Sequence, residues 1–226
     1  MKNPTPASLL LLLISFSGVL SETSLDGKVF VFPSSSDNSY VLLKPALKQP
    51  LQRFTICLSF FTDLSNPFSL ISVASREQDN EILLMKCLNE YETCVRGQCI
   101  RFNIPGNIYR TTSHWENACM TWEASTGIIQ LWIDGQPLPR KGIAKGLWIP
   151  NDVVAMLGQE QDSYGGSLDA GQCFIGEMAK VYMWDTVLPP EQLQRMRKDA
   201  VPPPLVDWTA LDFEIKGYVV IEPALQ

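Results

Sequence analysis

The chain has 226 residues, of which 46% are hydrophobic, and its formal net charge is −6 at pH 7. This length suits one sandwich or barrel domain as well as two small ones, and we prefer one because no domain-scale linker interrupts the chain. The acidic balance argues against nucleic acid as the main partner, since a phosphate backbone is bound by clustered lysine and arginine.

The first 21 residues have the features of a secretory signal peptide. Lys2 lies in a short polar lead, an apolar block runs from Leu9 to Ile14, and the small residue Ser21 ends the segment. The block is too short to span a bilayer, and no later segment has about 20 uninterrupted apolar residues. We therefore predict cleavage after Ser21, a mature domain over residues 22–226, and a secreted, extracellular protein without membrane insertion.

Predicted strands dominate the mature domain. Each is rich in β-branched or aromatic residues and is bounded by glycine, proline, asparagine, aspartate or serine. In one of them the large apolar residues alternate and therefore share a face, and Asp134–Gly135 predicts a tight turn after another. The predicted strands are Lys28–Phe32, Tyr40–Leu43, Arg53–Phe61 (the alternating one), Phe68–Ala74, Glu81–Lys86, Ile128–Ile133, Val153–Leu157 and Lys180–Trp184, with Leu205–Ile221 again strand-like.

A single segment is predicted to be helical. Pro189–Glu191 places proline and an acid in its first turn, and the basic residues of Arg195–Lys198 lie at its end, where the helix dipole favours cations. Leu193 and Met196 are spaced to face a sheet. Many short strands with one helix predict an all-β fold, a two-sheet sandwich or jelly roll.

The cysteines are expected to be paired, because an exported chain folds in an oxidising compartment. Six cysteines allow 15 full pairings, and the sequence alone does not choose among them. No CxxC pair is present and His114 is the single histidine, which argues against a zinc site of the usual Cys/His kind. The cysteines are Cys57, Cys87, Cys94, Cys99, Cys119 and Cys173.

A loop rich in acids and amides, Gly158–Gly166, is the strongest sign of a binding site. In extended backbone Glu160 and Asp162 project to the same side, and the Gln161 carbonyl is free between them. Calcium prefers such hard oxygen ligands, six to eight of them, from carboxylates, amides and carbonyls. The predicted calcium ligands are Asp79, Asn80, Glu160, Gln161, Asp162, Asp169 and Gln172.

Two other interpretations of this loop are possible. The acids could be ordinary residues of a solvated loop, or they could be the acid and nucleophile of a glycosidase. Jelly-roll glucanases carry Glu-x-Asp-x-Glu on one strand, whereas Tyr164 stands at the third position here. With a single histidine and no Gly-x-Ser-x-Gly elbow, a nucleophilic triad is also disfavoured. We therefore expect a protein that is not an enzyme.

Several segments together resemble the short pentraxins over almost the whole mature length. The resemblance implies a flattened, lectin-like jelly-roll sandwich with one long α-helix on the face opposite the calcium site. It also implies a homopentamer, as one ring or as two stacked rings that make a decamer. The segments are Lys28–Pro33, Asp79–Leu83, Gly158–Gly166 and Met183–Asp185, with Leu188–Glu191 and Gly217–Ile221 favouring one branch of the family.

The function implied by the resemblance is pattern recognition on microbial or damaged-cell surfaces. Two calcium ions per subunit would be held by the seven predicted ligands, and the anionic oxygens of phosphoethanolamine, phosphocholine or acidic saccharides would bind the calcium directly. Five sites on a repetitive surface would raise affinity by avidity. Complement and Fc receptors would engage the helix-bearing face. A rival is a laminin-G-type adhesive sandwich without calcium-dependent binding of small ligands.

The resemblance also assigns a ligand pocket beside the calcium. Leu83 and Met85 stand where the family has an apolar wall, and Val95 and Cys99 belong to the hairpin that completes the pocket. Cys99 aligns with the glutamate that meets the positive charge of choline in one member. A cysteine does not supply that anion, so we expect weak selectivity for phosphocholine.

One disulfide is implied by the resemblance. Cys57 and Cys119 match the family's disulfide, which is expected to join the two sheets. Its loop of about 60 residues would remove roughly 4 kcal/mol of unfolded-state entropy in the chain model.

The remaining four cysteines have no counterpart in the usual family pattern. Cys87 and Cys94 are predicted to lie on the two arms of one hairpin, within bridging distance. We hypothesise that Cys173 pairs with Cys99 across the calcium site. Pairing between subunits is the main alternative.

Overall fold

The computed structural model describes residues 24–45, 47–104, 114–194 and 203–225. These residues form two antiparallel sheets packed face to face, so the all-β sandwich is confirmed. The first sheet has, in spatial order, β10 (Gln136–Pro137), β9 (Ile128–Ile133), β8 (Glu116–Glu123), β3 (Arg53–Phe61), β13 (Gly176–Trp184), β1 (Lys28–Phe32) and β15 (Val220–Pro223), with β11 (Lys141–Gly142) also paired to β9. The second sheet has β14 (Phe213–Lys216), β2 (Tyr40–Leu43), β12 (Val153–Leu157), β4 (Phe68–Ser75), β5 (Ile82–Cys87), β6 (Glu90–Val95) and β7 (Gln98–Asn103).

The main hydrophobic core lies between the two sheets. Phe54 and Trp122 come from the first sheet, Phe68 and Leu84 come from the second, and all four are buried in the same cluster. The alternation in Arg53–Phe61 has the predicted result, because its large apolar side chains all join this core. Fully burying one such side chain contributes about 1.5–3 kcal/mol, so the facing sheets stabilise each other.

All eight predicted strands are present in the structure, but five strands observed within the described residues, including the two-residue β10 and β11, were not predicted. Five of the predicted strands have the observed bounds (β1, β2, β3, β9 and β12), and β4, β5 and β13 differ at one end or both. The other strands that were not predicted are β6, β7 and β8. In β6 and β7 the exposed face carries Glu90, Glu92 and Arg101, which lowers the apparent strand propensity. Arg96–Gly97 joins them with positive φ at both residues.

The expected long helix is not borne out. The helix α1 begins at Pro190, after the N-cap Pro189, and its described part is the single turn Pro190–Leu193. Leu193 is buried, and this contact rather than helix propensity stabilises so short a helix. The predicted end at Arg195–Lys198 lies outside the described residues. Within the described ranges, no helix is long and apolar enough to cross a membrane.

The disulfide between Cys57 and Cys119 is confirmed, but its expected role in joining the two sheets is wrong. Strands β3 and β8 are antiparallel neighbours in the first sheet, and the two cysteines are directly opposite each other in their register. Their Cα atoms are 4.1 Å apart. The bond therefore links adjacent strands within one sheet.

The placement of Cys87 and Cys94 on the two arms of one hairpin is confirmed, but both pairings expected for the additional cysteines are wrong. Cys94 is bonded to Cys99, while Cys87 and Cys173 are free thiols. The reason is the register of the β6–β7 hairpin, in which Cys94 and Cys99 are directly opposite. Cys87 is instead opposite Glu90, four residues away from Cys94 along β6.

Candidate calcium-binding site

The acid- and amide-rich loop is anchored to the second sheet by the side chain of Gln161. This fully buried amide donates to the carbonyls of Ser72 (3.0 Å) and Val154 (3.2 Å), which belong to β4 and β12. Its Oε1 accepts from the Gly165 backbone N–H at 3.0 Å. One side chain therefore joins the loop to two strands of the sheet and to the far part of the loop at Gly165.

The start of the loop requires glycine. Gly158 has a φ of +84°, which an L side chain rarely adopts, and a Cβ there would lie 2.4 Å from Cε1 of Phe32. The chain can turn from β12 into the loop because this position has no side chain.

Glu160 is the buried acid of the site, with 6% of its surface exposed. Burial raises the pKa of Glu160, and the negative charges of Asp162 and Asp79 raise it further, whereas a hydrogen bond with the Asn80 side chain lowers it. The structure therefore brings four of the predicted ligands together. A buried carboxylate surrounded by like charges is costly unless a cation compensates it.

Two predicted ligands have a buried amide oxygen without a hydrogen-bond partner, Oδ1 of Asn80 and Oε1 of Gln172. Most buried polar atoms in proteins are satisfied, so each such atom needs an explanation. Amide oxygens are calcium ligands, and a cation would satisfy both. Nearby, Oε2 of Glu81 and Oε1 of Gln159 are also buried without a partner. The donor set therefore fits a hard divalent cation.

The remaining predicted ligands are more exposed. Asp162 and Asp169 are exposed, and Asp169 Oδ1 accepts from the Gly171 N–H at 2.8 Å. Asp79 Oδ1 accepts from the backbone N–H of Asn80 (2.8 Å) and is only partly buried.

The segment that carries Gln172 is tied to the second sheet, because the Gln172 carbonyl accepts from the Ser69 N–H at 2.9 Å.

Within the described residues, the carboxylates of Asp79, Glu160 and Asp162 are not all within 4.8 Å of one another. Mutual repulsion of three carboxylates opposes a closer approach unless a cation lies between them.

The predicted pocket residues divide between the two faces of the second sheet. Leu83 and Met85 form a small cluster with Cys94, separate from the main core, so they lie on the outer face of the sheet. Cys99 is exposed and joins this group through its disulfide to Cys94. Val95 is fully buried in the main core and is not brought together with them.

The sequence interpretation missed two residues of this outer face. Cys94 belongs to the wall of the pocket, and Glu92 lies beside it. The two lie two residues apart on β6 and therefore on the same face. Leu83, their neighbour on β5, is opposite Ser72, whose hydroxyl accepts from the Gln161 N–H at 3.2 Å. The strand alternation would have revealed this face once β6 was recognised.

Replacing Gln161 by leucine should weaken calcium binding. The substitution keeps the volume, but the Ser72 and Val154 carbonyls and the Gly165 N–H lose their partner, so the loop loses its anchor. Loss of a supporting contact of this kind typically costs about 10- to 100-fold in metal affinity. Calcium titration calorimetry measures the effect, with Gln136→Leu, an exposed change on β10, as the control. Equal affinities for the two variants would contradict the anchoring role.

Comparison with solved structures first defines the class of fold. A native heptameric SAP-like pentraxin from Limulus polyphemus matches with a TM-score of 0.78 and 19% sequence identity, covering 89% of this chain and 97% of that chain. At this identity the similarity shows the fold alone, a pentraxin-type β sandwich.

Comparison of sequences then identifies the family. The Pentaxin family model matches residues 28–223. The mucosal pentraxin of Mus musculus is 40% identical over 217 residues, covering 96% of both chains. The serum amyloid P-component of Homo sapiens is 40% identical over 213 residues, covering 93% of this chain and 94% of that protein. The chain belongs to the pentaxin family, which is known to bind calcium.

Proposed function

We propose that this protein is a secreted, calcium-dependent pattern-recognition protein. Its ligands would be phosphorylated or acidic groups on microbial or damaged-cell surfaces, such as phosphoethanolamine, phosphocholine and acidic saccharides. One observation carries the proposal: the buried Glu160 lies against Asp79, Asn80 and Asp162, with a partnerless buried oxygen on Asn80. Serum and mucosal relatives at 40% identity support secretion.

Calcium would be held by oxygen atoms of the loop, of the chain segment before β5 and of the segment with Asp169 and Gln172. When bound, the ion supplies the positive charge that anionic ligand oxygens contact. We propose two ions per subunit, as in the family pattern. The ligands would be Asp79, Asn80, Glu160, the Gln161 carbonyl, Asp162, Asp169 and Gln172.

The assembly we propose is a homopentamer or a stacked decamer, in which the five sites of each ring face one surface. Five weak sites on a repetitive target bind far more tightly than one, because later contacts are intramolecular. The opposite face, which carries α1, would remain free for complement and Fc receptors. Sedimentation velocity in calcium separates the pentamer from the decamer.

Binding rather than catalysis is favoured by the surroundings of Tyr164. Its hydroxyl donates to Asp152 Oδ1 at 3.0 Å, and the guanidinium of Arg76 lies 4.5 Å from its ring centre. The residue at the third position of the glucanase pattern therefore belongs to a surface cluster and supplies no carboxyl group. We propose that the protein is not an enzyme.

The test is retention of the mature protein on immobilised phosphoethanolamine, with and without a calcium chelator. We expect retention in calcium, release by the chelator and recovery when calcium is restored. An adhesive module of the laminin-G type would bind independently of calcium or would not bind at all. Either of those results would contradict the proposal.

A further inference from the structure

The outer face of the second sheet carries, beside the predicted ligand pocket, a compact group of three side chains that include no predicted calcium ligand. The Glu92 carboxylate and the sulfur atoms of Cys94 and Cys99 all lie within 4.8 Å of one another. Among the described residues, no other three histidine, cysteine, aspartate or glutamate side chains are this close. The two sulfurs are joined in a disulfide in this structure, and as two thiolates they would form, with one carboxylate, a suitable ligand set for zinc.

We propose that these three residues form a site for a thiophilic divalent cation of the zinc class when the Cys94–Cys99 disulfide is reduced. Two molecules of a low-molecular-weight thiol supply two electrons and two protons. The S–S bond breaks, Cys94 and Cys99 become thiols, and the reductant becomes a disulfide. Zn²⁺ then displaces the two thiol protons, binds both sulfurs and the Glu92 carboxylate, and takes water as its fourth ligand.

The backbone geometry of the hairpin suits this change. The Cα atoms of Cys94 and Cys99 are 4.1 Å apart. Two sulfurs on a tetrahedral zinc lie about 3.8 Å apart, given a Zn–S distance of about 2.3 Å. Rotation of the Cys94 and Cys99 side chains increases the separation of the two sulfurs to this value while the two strands stay paired. Strands β6 and β7 also stay paired from Glu90 to Val95, so the hairpin does not depend on the disulfide alone.

The Cys94–Cys99 bond is open to a reductant, unlike the other disulfide. Cys99 is exposed, although Cys94 is fully buried. Cys57 and Cys119, by contrast, are 1% and 2% exposed. A small thiol therefore reaches the hairpin bond from the Cys99 side while the bond inside the first sheet stays protected.

The charges around the site permit a cation to enter. Glu92 accepts from Arg101 Nε at 2.8 Å, and Arg101 Nη1 also donates to Glu90 at 2.8 Å. When Glu92 turns to the metal, Arg101 keeps Glu90 as its partner, so no charge is left unpaired. None of the three metal ligands is a predicted calcium ligand, so this inference stands independently of the proposed function.

The test titrates cadmium, which gives a thiolate charge-transfer absorption, and then zinc as a competitor, into the mature protein in saturating calcium. A phosphine reductant opens the exposed disulfide, and peptide mapping verifies that Cys57–Cys119 stays intact. The protein carries Cys87→Ser throughout, which removes the partly exposed free thiol. We expect one equivalent of cadmium bound through two thiolates after reduction, and no such absorption before it.

Single changes then test two of the three ligands in the same background. Cys99→Ser, at an exposed position, should abolish the two-thiolate absorption, and Glu92→Gln should weaken zinc binding by at least about tenfold. Glu90→Gln is the matched control, because Glu90 shares Arg101 with Glu92 but lies outside the group, and it should bind like the parent. The proposal is overturned if Glu92→Gln and Glu90→Gln bind zinc equally. It is also overturned if Cys99→Ser keeps the absorption, or if the folded protein resists reduction at Cys94–Cys99.

Discussion

Replacing Glu160 by glutamine and Asp162 by asparagine is expected to abolish calcium-dependent ligand binding while the fold is retained. The double change removes two negative charges that face the proposed ion, and calcium affinity depends strongly on the number of charged ligands. We expect a loss of at least about a hundredfold in calcium affinity. Because burial and neighbouring charge already disfavour the ionised form of Glu160, a neutral isostere should not destabilise the protein without calcium.

The measurement combines calcium titration calorimetry, retention on phosphoethanolamine and thermal unfolding in a chelator. The control is Asp185→Asn with Glu222→Gln, which changes the net charge equally at two exposed positions, one directly after β13 and one within β15. That pair should leave calcium affinity unchanged. Unaltered binding by the Glu160/Asp162 variant would show that the cation lies elsewhere, and a loss of thermal stability without calcium would show that these acids stabilise the fold.

The sandwich was predictable because most of its strands carry their own signal. In Arg53–Phe61 the apolar alternation alone identifies the strand and the face that enters the core. The edge hairpin of β6 and β7 carries a weaker signal, since Tyr91, Val95 and Phe102 enter the core from strands whose other faces carry charged residues. β6 and β7 form because of tertiary packing, and the local strand propensity of their residues does not reveal that packing.

The calcium-ligand set was predicted from residue chemistry, whereas the pocket depended on register. A shift of one residue moves a whole strand face from outside to inside, and Val95 shows the effect because it enters the core while Cys94 faces outward. The register of β6 and β7 also places Cys94 directly opposite Cys99, so these two cysteines form the disulfide. Cysteine spacing contains no information on register, so neither the Cys94–Cys99 bond nor the free thiols of Cys87 and Cys173 could be derived from it.

An ion pair buried between the two sheets provides the second large expected effect. Lys86 of β5 reaches Glu116 of β8 with Nζ–Oε distances of 2.6 and 2.7 Å, and the side chains are 17% and 11% exposed. The Tyr91 hydroxyl also donates to Glu116. The Lys86 ammonium lies 5.4 Å and 5.0 Å from the ring centres of Phe60 and Tyr91. Burial raises the pKa of Glu116, and the charge of Lys86 opposes that shift.

Replacing Lys86 by methionine should lower the free energy of unfolding by about 3–5 kcal/mol, because Glu116 is then a buried charge without its cation. Adding Glu116→Leu should recover much of this loss, since an apolar pair avoids the desolvation of both charges.

The Lys86→Met variant should also become more stable as the pH falls. A raised pKa means that the folded state binds the proton more tightly than the unfolded state, so stability is lost as the pH rises through that pKa.

Urea unfolding of the three proteins at neutral and mildly acidic pH measures these effects. Lys44→Met is the matched control, because Lys44 pairs with Asp212 at 3.4 Å but the two side chains are 49% and 46% exposed. An exposed pair contributes only about 0–1 kcal/mol, so that control should unfold nearly like the parent. If Lys86→Met behaves like Lys44→Met, the inter-sheet pair contributes nothing to the fold. If the double variant is as unstable as Lys86→Met, the loss comes from packing of the lysine stem and not from the uncompensated charge of Glu116.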